Sequence, residues 1–157
     1  MLQLLGEYEC RLDAKGRMRL PSGLLSQLGM EGEGEKRPFV LNRGFDNCLM
    51  LYPEDVWEEI SREVNALNQY DQKNREFVRY FYRGAQRVSL DGADRILVNK
   101  RLLDYAGIDK DVILSAVNNR IEVWAQDKYD SLLDEEPSDF SGLAQQVLGD
   151  NNPGKVV

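Results

Sequence analysis

The chain has 157 residues and a net charge of −7, with 27 acidic against 20 basic side chains, two cysteines and no histidine. That length suits one ordinary domain able to bury a core of its own. The lack of histidine removes the usual general base, the commonest zinc ligand and every Ser-His-Asp or Cys-His arrangement, and neither a GxxxxGK[ST] phosphate cradle nor a GxGxxG turn is present.

The opening MLQLLGEYEC has neither a basic start nor an apolar run long enough for a signal peptide. No stretch approaches the ~18 apolar residues of a membrane span. A soluble cytoplasmic protein is expected, with Cys10 and Cys48 as reduced structural thiols.

Residues 6–12 alternate, with Tyr8, Cys10 and Leu12 on one face and Glu7, Glu9 and Arg11 on the other, which predicts a half-buried strand. Asp13-Ala14-Lys15-Gly16 follows as a turn: Gly16 can take a positive φ, and the Asp13 side chain can bond to the backbone ahead of it. Arg17-Met18-Arg19-Leu20 resumes the alternation, with Met18 and Leu20 inward and both arginines outward. Pro21 and Ser22 open a short helix through Leu28, and Gly29 ends it. EGEGE at residues 31–35 reads as a flexible loop whose acids would repel phosphate. A third strand at 39–42 turns over residues 43–47 into a fourth at 48–52.

Two helices are expected next, at 54–67 and 71–82. Pro53, Glu54 and Asp55 favour the start of the first, and Val56, Trp57, Ile60, Val64 and Leu67 keep helical spacing within it. The second carries Phe77, Val78, Tyr80, Phe81 and Tyr82. That stripe could be a base-stacking platform, but aromatics at helical spacing more often pack against a neighbouring element.

The earlier order then returns: a strand at 86–90, a turn at 91–94, a strand at 95–98, a short helix at 100–105, and a hairpin of 112–117 and 120–124 around Asn118-Asn119. A helix at 127–133 precedes a polar, acidic tail with one amphipathic segment at 140–148, expected to order only if it docks.

The repetition extends to single residues at an offset of 78. Leu12-Asp13-Ala14-Lys15-Gly16-Arg17 matches Leu90-Asp91-Gly92-Ala93-Asp94-Arg95, and Gly6, Leu20 and Gly29 match Gly84, Val98 and Gly107. The predicted organisation is a first repeat at 5–52, connecting helices at 53–82, a second repeat at 83–133 and a flexible acidic tail at 134–157. Both repeats are locally basic. In residues 83–107, Arg83, Arg87, Arg95, Lys100 and Arg101 outnumber Asp91, Asp94 and Asp104. Residues 126–157 carry seven acids against Lys128 and Lys155, so the acidic total does not describe the repeats.

An arginine just after a turn has three plausible uses: a solvated charge, a staple to the preceding aspartate, or a bidentate contact to phosphate or guanine. Two copies that keep an aspartate and an arginine while the residues between them diverge weaken the first use. Asp13 and Asp91 could also be paired for acid–base work or metal binding, but both stand in turns beside arginine, and no enzyme is expected.

The order strand, LDxxGR turn, strand, Pro-started helix and hairpin, twice over, resembles the MraZ family of bacterial transcriptional regulators. These are duplicated relatives of the AbrB-type swapped-hairpin β-barrels. The resemblance covers roughly residues 1–133 and rests on GEYECRLDAKGRMRLP at 6–21, NRGFDNCLMLYP at 42–53, RGAQRVSLDGADRILV at 83–98 and NNRIEVW at 118–124. It implies an α+β fold of two tandem swapped-hairpin AbrB-like β units, forming a pseudo-symmetric β-barrel-like core with flanking helices. It further implies a cytoplasmic, nucleoid-associated ring of identical subunits that binds double-stranded DNA at direct repeats upstream of the division and cell-wall gene cluster, with no cofactor, metal, membrane or small-molecule substrate.

Carried over by position, the DNA-binding residues are Lys15, Arg17 and Arg95, and the turn-ordering residues are Asp13, Gly16 and Asp91. Two positions depart from the family pattern: Asp94 stands where the turn has glycine, and Asn99 where proline usually follows the strand. The Asp94 carboxylate could pair with Arg95 or reshape the turn. An oligomeric protein-interaction scaffold that binds no DNA is the alternative reading.

Overall fold

Apolar runs that must be covered on both faces set the topology. In the computed structural model, which describes residues 2–149, Phe39, Val40, Leu41 and Asn42 are buried in succession, as are Leu49 to Tyr52 and Val112 to Ser115. Strands of this kind need neighbours along both edges and layers on both faces.

The chain divides into two compact units after Gln126. The first begins with β1 (Leu4–Arg11), β2 (Arg17–Arg19), α1 (Ser22–Gln27), β3 (Phe39–Arg43) and β4 (Leu49–Pro53). The connecting helices are α2 (Glu54–Asn65) and α3 (Gln72–Tyr82). The second copy supplies β5 (Gln86–Val88), β6 (Arg95–Leu97), α4 (Lys100–Ala106), β7 (Asp111–Asn118) and β8 (Arg120–Ala125). These elements follow the order expected from the sequence; β5 is shorter than expected, ending at Val88 instead of Leu90.

The two copies exchange strands. One sheet runs β1-β7-β8-β4-β3-β5, every neighbour antiparallel. β1 of the first copy thus completes the hairpin of the second, and β5 of the second completes the hairpin of the first. A pseudo-twofold axis passes between β8 and β4, since exchanging the copies maps the strand order onto itself. β2 and β6 leave this sheet and pair with each other as a separate two-stranded ribbon.

The sheet is not closed into the barrel-like core that the resemblance implies. Among the described residues the six-stranded sheet ends at β1 and β5, and the ribbon is tied to it by a single bridge, Leu12↔Met18. β2, β5 and β6 have three residues each, so the ladders at the margins of the sheet and in the ribbon are short. One core nevertheless serves both copies, with Met18, Leu20, Leu24 and Leu51 packed in the same cluster as Ile96, Val98, Leu102 and Leu114.

Part of the aromatic stripe packs between α2 and α3, while Phe77 and Tyr80 remain exposed. Trp57 stacks parallel to Phe81 at 5.6 Å between centroids and meets the edge of Tyr82 at 5.7 Å. The Tyr82 hydroxyl is held by Ser61 Oγ at 2.8 Å and Asn65 Oδ1 at 2.7 Å. Asn42, buried in β3, donates from Nδ2 to the Phe81 carbonyl at 2.8 Å, tying α3 to the sheet.

The second unit begins at the second residue of α5 (Gln126–Asp134) and contains α6 (Phe140–Leu148). Asp139 caps α6 by accepting from the Gly142 N–H at 2.9 Å. Phe140, Leu143, Val147 and Leu148 of this helix are exposed. The end of the acidic tail, residues 150–157, lies outside the described residues, and among those described no helix is long and apolar enough to cross a membrane.

Candidate nucleic-acid interface

The two motif turns have the same backbone. In the first, Gly16 N–H donates to the Asp13 carbonyl at 3.0 Å and Asp13 N–H to the Arg17 carbonyl at 2.9 Å. In the second, Asp94 N–H donates to Asp91 at 3.0 Å and Asp91 N–H to Arg95 at 2.9 Å. Each aspartate then braces its own turn. Asp13 Oδ1 accepts from the backbone N–H of Lys15 and of Arg17, both at 2.9 Å, while Oδ2 accepts from Arg17 Nε at 2.7 Å. Asp91 repeats the set with Ala93, Arg95 and Arg95 Nε, all at 2.9 Å.

These bonds to the ionised form hold both carboxyls below the usual aspartate range. The largest cause is the backbone N–H of Arg17 for Asp13 and of Arg95 for Asp91, with partial desolvation opposing. Each arginine is held through Nε, which fixes its plane and leaves the terminal nitrogens at the outer end of the fork. Among the described residues the terminal nitrogens of Arg17 make no hydrogen bond, and those of Arg95 approach Asp13 Oδ2 at 3.8 Å. Lys15 is exposed at the tip of its turn.

Asp94 neither pairs with Arg95 nor reshapes the turn. It takes a φ of +59°, the left-handed conformation that Gly16 takes at +80° in the first copy, and aspartate is among the few side chains that tolerate it. Its carboxylate turns to Lys36 Nζ at 3.2 Å. Lys36 also reaches the Met30 carbonyl, so the segment after the EGEGE loop of the first copy braces the turn of the second. No periodicity or motif in the sequence marks that contact, because it joins positions far apart in the chain. Asn99 caps α4 by accepting from the Leu102 N–H at 2.9 Å.

Strand exchange brings the turns together. Antiparallel pairing of β2 with β6 sets Arg17 opposite Leu97, Met18 opposite Ile96 and Arg19 opposite Arg95. Met18 and Ile96 are buried, so Arg17, Arg19, Arg95 and Leu97 occupy the outward face. Lys15, Arg17 and Arg95 thus lie at one ribbon, with Asp13, Asp91 and Gly16 in the two turns that flank it. Bracing aspartates, forked arginines and a narrow two-stranded ribbon form an arrangement able to present cations to a polyanion.

Comparison with known proteins agrees in family. A family model described as "MraZ protein, putative antitoxin-like" matches twice, over residues 3–80 and 81–150. The relative named Transcriptional regulator MraZ from Christiangramia forsetii is 41% identical over 154 residues, covering 97% of each chain. Those of the same name from Flavobacterium psychrophilum and Cytophaga hutchinsonii are each 38% identical, over 97% and 91% of this chain and 96% and 93% of their own. With two copies of the family model in tandem and relatives matched over nearly their whole length, this chain belongs to the MraZ family.

Proposed function

We infer that this chain is a sequence-specific DNA-binding transcriptional regulator, cytoplasmic and nucleoid-associated, acting on the division and cell-wall gene cluster. The observation that carries the reading is the meeting of both motif arginines on one outward ribbon face, each held by its own aspartate through Nε. Lys15, Arg17 and Arg95 contact DNA, while Asp13, Asp91 and Gly16 keep the turns in shape. A two-stranded ribbon is narrow enough for the major groove, and guanidinium forks match both phosphate oxygens and guanine edges. The relatives' shared name, Transcriptional regulator MraZ, supports the regulatory role.

One subunit offers few cations, and each phosphate contact adds only a modest, salt-sensitive gain. A ring of identical subunits supplies the remainder, because binding of one ribbon raises the effective concentration of the next. Ribbons on successive subunits meet one side of the duplex when direct repeats are spaced by about one helical turn, ~10 bp.

The test is binding of the full-length protein to duplex DNA taken from upstream of the division and cell-wall gene cluster, with native mass measured in parallel. Arg17→Ala is expected to abolish specific binding with the assembly and melting temperature preserved, and the parent is expected to lose affinity steeply as salt rises. Undiminished binding by a folded Arg17→Ala variant, or a flat salt dependence, would overturn the reading.

A further inference from the structure

Arg19 stands directly across the ribbon from Arg95. The ribbon is closed at its ends by Val98 N–H donating to the Gly16 carbonyl at 3.0 Å and Leu20 N–H donating to the Asp94 carbonyl at 2.9 Å. Bonded and non-bonded pairs alternate in an antiparallel ladder, so Arg19↔Arg95 and Arg17↔Leu97 take the non-bonded places, where facing Cα atoms are only about 4.5 Å apart and side chains are closest.

Like charges directly opposite on one face of a strand pair are destabilising. Arg95 is compensated by Asp91 at 2.9 Å. Arg19 is exposed and, among the described residues, has no ion-pair partner. The close pair occurs only once. The 78-residue offset from Arg19 leads to Leu97, which is 57% exposed, so the other end of the ribbon sets Arg17 against an apolar side chain.

We propose that Arg19 and Arg95 together grip one phosphate of the DNA backbone, making the two repeats of a subunit a single composite site and not two independent turns. This rests on the DNA-binding reading above and adds to it a residue outside the repeated motif. A phosphate between the two guanidinium groups converts their mutual repulsion into two charge-assisted attractions, and the planar fork of each can bond two oxygens. Because Leu97 replaces the second cation at the far end, the ribbon has a polarity: the Arg19 end sits on the backbone and the Arg17 end is free for base edges.

The test uses the full-length protein and the same upstream duplex, with Arg19→Ala, Arg95→Ala, the double variant, and Arg17→Ala as reference. Arg19→Ala is expected to weaken binding about tenfold per engaged subunit and to flatten the slope of log affinity against log salt by about one per engaged subunit. Without DNA it melts no lower than the parent, because a repulsion is removed. The double variant loses far less than the product of the two single losses, since both arginines serve one phosphate.

Parental affinity and salt slope in Arg19→Ala, with Arg17→Ala unable to bind, would overturn the clamp and leave the DNA-binding reading standing. Fully multiplicative losses in the double variant would also overturn it, since they mean two separate phosphates. A parent that binds without dependence on salt or on Arg17 would remove both readings.

Discussion

Gly16 and Gly92 lie two residues apart within equivalent turns, yet they should respond oppositely to an added methyl group. Gly16 has a φ of +80°, and a Cβ built on it would lie 3.2 Å from the Val98 carbonyl oxygen, the backbone of the opposing copy. The left-handed conformation costs an alanine roughly 1–2 kcal/mol, offset by about 0.4–1 kcal/mol from the reduced freedom of the unfolded chain. The Val98 carbonyl must also give way by a few tenths of an ångström while its own N–H donates to Gly16. A net loss of about 1–2 kcal/mol follows for Gly16→Ala, or a melting temperature lower by about 3–6 °C in a chain of this size. A Cβ on Gly92 meets nothing within 4 Å, its φ is not positive, and the first copy already has Ala14 at that place. Gly92→Ala should be neutral or stabilise by up to about 1 kcal/mol. Gly16→Asn should recover part of the alanine loss, as Asp94 shows that a short polar side chain can hold this conformation. Thermal unfolding of the full-length variants at matched protein concentration measures the difference. A Gly16→Ala protein melting with the parent, or a Gly92→Ala protein falling as far, would refute the reasoning.

Two further outcomes follow from the same geometry. Met18→Ala empties a fully buried place opposite Ile96 and should cost about 2–5 kcal/mol in denaturant unfolding, as one transition that takes both copies together; a loss below about 1 kcal/mol, or separate transitions for the two copies, would contradict a shared core. Asp13 and Asp91 should titrate, by carboxyl carbon NMR, below the ordinary value of 3.8. Since the folded values are depressed, the bracing is complete above 3.8 and is lost as pH falls through the depressed midpoints, leaving the turns insensitive to these groups near neutral pH; midpoints at or above 3.8 would show that the turn bonds are not made in solution.

Local pattern determined much of this protein. Period-2 alternation around Cys10 and Met18, the Pro53-Glu54-Asp55 start and the glycine after α1 are short-range signals, and the elements they announce formed within a residue or two. The repeat at an offset of 78 carries the duplication and the family within the sequence itself, because the constraint on each turn lies within six consecutive residues. Strand partners were different. Nothing in residues 4–11 says that β1 will pair with β7, or in residues 86–88 that β5 will pair with β3, because antiparallel pairing depends on which edges remain open once the hairpins have formed. The same holds for Lys36 and Asp94, whose ion pair joins segments 58 residues apart.

The sequence by itself determined that two aspartate-braced turns exist and that each displays an arginine. Only the tertiary structure decided that the turns share one ribbon, that Asp94 faces Lys36 and not its neighbouring arginine, and that Arg19 confronts Arg95. The physical reason is range: a turn is set by hydrogen bonds among residues four apart at most, whereas the ribbon is set by a register between strands from different copies.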